Sequence, residues 1–260
     1  MPELPDVEGF RRVLAAHTGT PIRRVDVLDA QVLRGTSAQR FDDGLRGRRF
    51  GKPRRHGKWL LAPTDGADTV MLHFGMTGEL RWAAADQPDE KRHPHDRVVF
   101  VFEGGELRFR DMRKLQGLRL ADDRQVDRIL GEVGPDALDV TAKELGELLG
   151  RRRQVKATLT DQSVLGGIGN LLADEILWRA RVNPRRKGTD LSTEDVKRIH
   201  GRLRSVLRQA IPAGRVPPRK SWLTGRRDEP AGSCPRCGTT LSHGRAGGRG
   251  TVWCPGCQPE

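Results

Sequence analysis

The sequence of 260 residues contains no tyrosine, and its four cysteines all lie at or after position 234. No apolar run approaches the roughly 18 residues that a transmembrane helix needs. Met1 is not followed by the basic and apolar regions of a secretory signal. These absences argue against a membrane protein and against a secreted disulfide scaffold, so we expect a cytoplasmic protein.

Positive charge is in excess. The chain carries 47 lysine and arginine residues against 34 aspartate and glutamate residues, a formal net charge of +13. Backbone phosphates attract basic surfaces whatever the base sequence, so this excess indicates nucleic acid as a partner. The alternative is an arginine-rich composition that reflects only the codon bias of a GC-rich genome.

The start of the chain places a proline and a glutamate before a helix. Pro5 suits the first turn of a helix, and Val7 begins an apolar pattern at helical spacing. If Met1 is removed, Pro2 has a free secondary amine, which is a nucleophile towards a sugar aldehyde when unprotonated. An α-amino group has a pKa of about 8, so a useful fraction is neutral near pH 7. The alternative interpretation of Pro2 and Glu3 is a frayed terminus without chemistry.

Residues 20–120 are typical of β-structure. The apolar run 98–102 reaches Gly104 and Gly105, which indicate a hairpin turn. Several short strands between helices predict a sandwich-like domain. Two loops interrupt it. The first presents Met76 between glycines, either as core filler or as an apolar wedge for a base stack. The second places Arg113 in a turn beside apolar side chains.

Helices follow a candidate linker at residues 131–136. Thr141 and Glu144 form a capping box, and residues 192–210 predict a long amphipathic helix. Between two further predicted helices lies the glycine-rich loop 166–170. A helix, a glycine turn and a second helix form a nucleic-acid-binding motif, although plain helical hairpins share the pattern.

The cysteines form two pairs, each with two intervening residues. The spacer between the pairs has the length seen in four-thiolate zinc sites. One structural zinc ion would stabilise a segment too small and polar to fold alone. His243 is a possible alternative ligand, but four thiolates already complete a tetrahedral site. The predicted ligands are Cys234, Cys237, Cys254 and Cys257.

The ordered set of motifs resembles the formamidopyrimidine-DNA glycosylase and endonuclease VIII family. Residues 2–8 resemble its amino-terminal signature, and Lys58, the 73–78 loop, the 161–170 turn, the cysteine ribbon and residues 249–251 follow in its order. The resemblance implies an α+β fold with an N-terminal β-sandwich and flanking helices, a helix-two-turn-helix domain and a C-terminal zinc-ribbon finger. The corresponding ranges are residues 1–132, 133–222 and 223–260.

The resemblance also implies roles for individual residues. Pro2 is similar to the nucleophile, Glu3 to the acid that assists opening of the sugar, and Lys58 to a lysine near the damaged nucleotide. The implied reaction is base excision followed by β,δ-elimination at the abasic site. The partner would be double-stranded DNA with damaged or abasic sites, bound by a monomer. The residues expected to contact DNA are His73, Met76, His95, Arg113, Leu115, Lys156, Asn170 and Arg249.

Departures from the family pattern concern the choice of lesion. Leu115 replaces a frequent phenylalanine, Leu172 a frequent tyrosine, and the segment 211–232 is shorter than usual. Trp222 in this segment could stack on a base or cover the pocket, or it could pack against the sandwich. A non-catalytic damaged-DNA binding protein of the same fold is the alternative function. A third possible function is that of a zinc-ribbon protein in RNA processing or associated with the ribosome, but the amino-terminal signature does not support it.

Overall fold

The computed structural model describes residues 1–86, 91–229 and 231–260. These residues form two compact units. The first contains Met1–Pro2 and Asp6–Glu132, and the second contains Glu3–Pro5 and Val133–Glu260. Within the described ranges, no helix is both long and apolar enough to cross a membrane.

The first unit is built on two four-stranded antiparallel sheets, as the sequence predicts. Their strand orders are β1-β6-β7-β5 and β2-β3-β4-β8. Buried side chains from both sheets share one core, in which Leu60 and Leu72 of one sheet join Phe100 and Leu107 of the other. The strands are β1 (Arg24–Val27), β2 (Arg54–His56), β3 (Trp59–Pro63), β4 (Thr69–His73), β5 (Glu79–Ala84), β6 (Asp96–Phe102), β7 (Gly105–Arg110) and β8 (Gly117–Ala121).

Helices accompany these sheets. The first, α1 (Leu4–Ala15), begins in the stretch that belongs to the second unit and continues into the first. The helix α2 (Ala38–Leu45) buries Phe41 and Leu45 in the shared core, and α3 (Asp123–Gly131) follows β8. The predicted hairpin is confirmed, since β6 pairs with β7 up to the partners Phe102 and Gly105. Its turn is formed by Glu103 and Gly104, one position earlier than predicted, and Gly105 begins β7.

The second unit contains four helices and a two-stranded hairpin. The helices are α4 (Ala142–Leu149), α5 (Val155–Leu159), α6 (Asn170–Ala180) and α7 (Thr193–Ala210). The predicted capping box is confirmed, because Thr141 and Glu144 satisfy each other's backbone N–H groups at the start of α4. The hairpin pairs β9 (Ser242–Ala246) with β10 (Arg249–Trp253) in an antiparallel register.

Two apolar clusters stabilise this unit. The larger joins the four helices, and the smaller packs Trp178 of α6 against Leu223 and residues of the finger. Trp222 is 2% exposed and belongs to the larger cluster. Trp222 therefore packs in the helical core of the second unit, and the expectation that it packs against the sandwich is wrong. With 2% of its surface exposed, it is also not available to stack on a base.

Candidate functional site

The carboxylate of Glu3 lies at the amino-terminal end of α6. It accepts hydrogen bonds from the backbone N–H groups of Gly169 at 2.9 Å, Leu171 at 2.8 Å and Leu172 at 3.1 Å. Glu3 is 1% exposed. The first N–H groups of a helix have no partner within the helix, and the helix dipole favours negative charge there. The side chain of Glu3 is thus held in one orientation by three donors.

Glycines in the loop before α6 make this arrangement possible. A Cβ atom on Gly169 would lie 2.3 Å from Cδ of Glu3, and one on Gly167 would lie 2.7 Å from Cδ1 of Leu4. Gly167 also has a φ of +105°, which glycine adopts without steric cost. In addition, the backbone N–H of Leu4 donates a hydrogen bond to the carbonyl oxygen of Gly167 at 3.0 Å. These glycines therefore accommodate the protein's own amino-terminal residues, a role that sequence reasoning missed.

Pro2 precedes Glu3 directly and is half-buried, whereas Met1 is 44% exposed. While Met1 is attached, the nitrogen of Pro2 is a tertiary amide and carries no nucleophilic lone pair. Removal of Met1 turns it into a secondary amine one peptide bond from the fixed Glu3.

Lys58 and His73 lie in the first unit. Lys58 precedes β3 and is 8% exposed. Burial, and then the positive charge of Lys58, lower the pKa of His73 from 6.5 to about 4. Nδ1 of His73 accepts the N–H of Gly75 at 3.1 Å, and its ring contacts Trp59 with centroids 4.8 Å apart. His73 is therefore a neutral imidazole near pH 7, with one nitrogen fixed as an acceptor.

Apolar side chains near Arg113 are exposed on the first unit. Met76 is 40% exposed and Leu115 is 50% exposed, and Nη1 of Arg113 donates to Sδ of Met76 at 3.0 Å. The structure thus brings Met76 and Arg113 together. Their filling of the gap left by a flipped base stays a prediction. Met112 is 54% exposed in the same turn and was not predicted.

Hydrogen bonds hold the two loops of this surface. Thr77 Oγ1 donates to Asp111 Oδ1 at 2.5 Å, and the N–H of Arg113 donates to the same oxygen at 3.1 Å. The N–H of Asp111 donates to the carbonyl of His95 at 3.0 Å, so His95 lies beside this turn. Fixed apolar groups next to a cation suit insertion into a base stack, because unstacking is costly and the wedge fills the vacancy.

The position of Lys156 does not fit the predicted phosphate contact. Lys156 has no exposed surface, and its Nζ lies 2.6 Å from Oδ1 of Asp174. The ammonium also donates to the carbonyl of Gly250 at 3.0 Å and to Oγ1 of Thr251 at 2.8 Å. Arg227 completes the pairing of Asp174. Lys156 is therefore a structural cation that connects α5, α6 and β10 inside the second unit.

Arg249 and Asn170 remain accessible in that unit. Arg249 is exposed at the first position of β10, directly after the turn at Gly247 and Gly248. Asn170 is half-buried at the first position of α6, and its Oδ1 has no partner within the described residues. Both positions are compatible with phosphate contacts, since Arg249 offers a guanidinium and Asn170 offers the N–H groups of its side-chain amide.

The four cysteines come together at the base of the finger. Their Sγ atoms all lie within 4.8 Å of one another, and the Cys237–Cys254 and Cys237–Cys257 distances are both 3.5 Å. Tetrahedral thiolates at about 2.3 Å from a zinc ion lie about 3.8 Å apart. The four side chains therefore fit one zinc ion, with no open position for water. His243 is not part of this group of ligands.

Comparison with known proteins agrees with this arrangement along almost the whole chain. Residues 1–118 match the formamidopyrimidine-DNA glycosylase N-terminal domain. Residues 133–219 match the formamidopyrimidine-DNA glycosylase H2TH domain, and residues 234–259 match the zinc finger found in FPG and IleRS. The sequence-based assignment of a helix-two-turn-helix segment and a zinc finger is confirmed.

Individual relatives are similar over their full length. A formamidopyrimidine-DNA glycosylase from Roseiflexus sp. (strain RS-1) is 38% identical in an alignment that covers 99% of this chain and 100% of that protein. The Lactococcus lactis formamidopyrimidine DNA glycosylase bound to DNA containing an AP site has a TM-score of 0.87 at 26% identity, covering 99% of this chain and 100% of its own. A variant of that protein in complex with Fapy-dG-containing DNA has a TM-score of 0.89 at 27% identity, covering 100% of both chains.

Proposed function

Because this chain belongs to the formamidopyrimidine-DNA glycosylase family, we propose that it excises an oxidised base and then cleaves the abasic site through a Schiff base on Pro2. It is a DNA glycosylase of oxidised-base repair that binds DNA and carries a zinc finger. The lyase step and the identity of the nucleophile are the parts of the proposal that need a test.

The fixed carboxylate of Glu3, next to Pro2, is the observation that carries the proposal. In the first step the amine of Pro2 attacks C1′ of the deoxyribose, and the bond from C1′ to the base breaks. The base leaves with the bonding electron pair and takes a proton from water. Glu3 accepts the proton that Pro2 releases and returns it to the ring oxygen O4′ as the sugar opens. Three N–H donors hold the carboxylate in one orientation, which limits the reorganisation needed during proton transfer.

The iminium between Pro2 and C1′ then makes the lyase step possible. It acidifies the hydrogen on C2′, whose loss expels the phosphate at C3′ by β-elimination. A second elimination expels the phosphate at C5′, and water releases the sugar remnant from Pro2. Lys58 is proposed to act near the damaged nucleotide, and Met76 with Arg113 would fill the gap in the duplex as the base leaves the stack.

Borohydride trapping on an abasic-site duplex tests this mechanism. Borohydride reduces an iminium to a stable amine, so only a protein that forms the Schiff base becomes linked to DNA. We expect efficient trapping when intact mass shows that Pro2 is the first residue. The matched control retains Met1 behind a short amino-terminal extension, which makes the nitrogen of Pro2 an amide.

Three outcomes separate the candidate functions. Loss of trapping in the extended protein, with binding of an uncleavable abasic-site duplex retained, supports Pro2 as the nucleophile. Undiminished trapping would transfer this role to another amine, with Lys58 as the first to examine by a Lys58→Arg variant. A protein that binds the duplex but is never trapped would be the non-catalytic binding protein. Sedimentation of the DNA complex tests the proposed monomeric state.

A further inference from the structure

The second unit contains a basic pocket at the carboxyl-terminal end of α6. Its volume is about 670 Å³, and it is lined by parts of α6, α7, the segment after α7 and the first cysteine pair. This volume lies within the range of about 300–1,000 Å³ typical of small-ligand sites. Six of the lining residues are arginines: Arg179, Arg181, Arg198, Arg202, Arg219 and Arg236.

Two buried indoles support guanidinium groups of this arginine pocket. The guanidinium of Arg179 lies 4.3 Å from the ring centroid of Trp222, and that of Arg236 lies 4.4 Å from the ring of Trp178. Both tryptophans are at most 4% exposed. Stacking of this kind restricts a guanidinium to one plane, so its hydrogen-bond donors are already oriented before a ligand arrives.

The arginines of the pocket outnumber the acidic side chains that pair with them. Arg179 is paired with Glu175, and Arg198 with Asp195. Arg181 and Arg202 are exposed, and neither forms an ion pair or a side-chain hydrogen bond with the residues that the structure describes. Concentrating like charges without a partner is unfavourable, so an anion would relieve the repulsion when it binds.

The arginine pocket is separate from the expected DNA contacts of the same unit. Asn170 begins α6, whereas Arg181 follows its last residue. A rise of about 1.5 Å per residue puts these positions roughly 16 Å apart along the helix. Arg236 lies between the first two cysteines, and Arg249 follows the turn at the opposite end of the hairpin.

We propose that the arginine pocket binds a phosphate ester of nucleotide size. Guanidinium groups match the oxygens of phosphate in a fork geometry, and a phosphomonoester brings up to two negative charges. A single concave pocket suits one nucleotide unit better than an extended acidic peptide, which would require a long groove. The nucleotide could be free or could belong to a nucleic-acid strand, because both present the same phosphate chemistry.

Calorimetric titration of the full-length zinc protein tests the proposal. Thymidine 5′-monophosphate represents a free nucleotide, the tetranucleotide dT4 represents a strand, and hexaglutamate represents an acidic peptide. Each is titrated into free protein and into protein already saturated with an uncleavable abasic-site duplex, so the expected DNA contacts are filled. The double variant Arg181→Gln/Arg202→Gln removes two exposed cations of the pocket. The control Arg128→Gln/Arg208→Gln removes the same charge from exposed positions outside it.

The expected result is saturable binding of at least one phosphate probe that persists in the duplex complex. The pocket variant should weaken it by about tenfold or more, because charge-assisted hydrogen bonds are lost, and the control should change little. Binding of both phosphate probes indicates a free nucleotide, and binding of dT4 alone indicates a strand. Equal losses in the two double variants, no saturable binding, or equally tight binding of hexaglutamate would overturn the proposal. Cleavage of abasic DNA is a separate readout, so the failure of either proposal is visible without the other.

Discussion

Replacement of Gly169 by alanine adds one methyl group beside the carboxylate of Glu3. The backbone of Gly169 has φ −115° and ψ −163°, an extended conformation that alanine adopts without strain. The added Cβ would lie 2.3 Å from Cδ and 2.4 Å from Oε1 of Glu3. The perturbation is therefore a steric conflict with the side chain of Glu3, the proposed catalytic acid, rather than a change in backbone conformation.

The size of the effect follows from this overlap. Ordinary contact between carbon atoms begins near about 3.5 Å, so the carboxylate must move by roughly 1.2 Å or more. Such a shift breaks at least part of the three N–H contacts that orient it. A displacement of about 1 Å in catalytic geometry costs on the order of 100-fold in rate. We expect Gly169→Ala to slow single-turnover base excision by about that factor, with little loss of duplex binding.

Gly201→Ala is the matched control. Gly201 lies within α7, and a Cβ atom there would meet nothing within 4 Å. The same methyl group should leave the rate unchanged and stabilise the helix by about 0.5–1 kcal/mol. Rates are compared on one damaged duplex, and affinities on its uncleavable abasic analogue. Wild-type rates in a correctly folded Gly169→Ala protein would refute the assignment of Glu3 as a catalytic group oriented by α6.

Two further outcomes are expected. The unfolded imidazole of His73 gains a proton below its ordinary pKa of 6.5, whereas the folded one gains it only near 4, so stability falls as the pH falls through this interval. Protonation of His73 in the unfolded state should lower the free energy of unfolding of the wild type by about 2 kcal/mol between about pH 7.5 and about pH 5. The same pH change should affect His73→Asn little, and urea unfolding measures both. Equal pH dependence in both proteins would contradict the buried neutral imidazole. Removal of zinc by a chelator should melt the β9–β10 hairpin by nuclear magnetic resonance and weaken DNA binding through Arg249, while α6 stays folded. If metal analysis shows that the protein is metal-free and the resonances of the hairpin are the same as in the zinc-loaded protein, a structural role for zinc is contradicted.

Features governed by local sequence could be predicted. The capping box at Thr141 depends on residues three positions apart, and the β6–β7 hairpin depends on a two-residue turn that the adjacent glycines located to within one position. The zinc site depends on two short cysteine pairs whose spacing is typical of such sites. In each case the interacting groups are close in the sequence or follow a recurrent spacing, so the pattern itself carries the geometry.

Features governed by distant contacts could not be predicted in the same way. The family resemblance implied a DNA contact for Lys156, but the burial of this residue against Asp174 depends on a contact 18 positions along the chain. Trp222 likewise joined a helical core instead of remaining available to a base. The sequence around either residue does not show whether its side chain is solvated or buried, because burial depends on which distant element packs against it.

The glycines before α6 show why one sequence pattern can serve two ends. Gly167 and Gly169 suggested close approach of a phosphate to the backbone, which glycine permits because it has no side chain. In the structure the anion that reaches these N–H groups is the carboxylate of Glu3, 166 positions from Gly169. The same helix terminus begins with Asn170, whose Oδ1 remains without a partner among the described residues. A helix amino terminus that already holds a carboxylate through three donors has fewer N–H groups to offer phosphate. Contacts of this position with DNA phosphates should therefore depend on the Nδ2–H donors of Asn170 more than on the backbone of the loop.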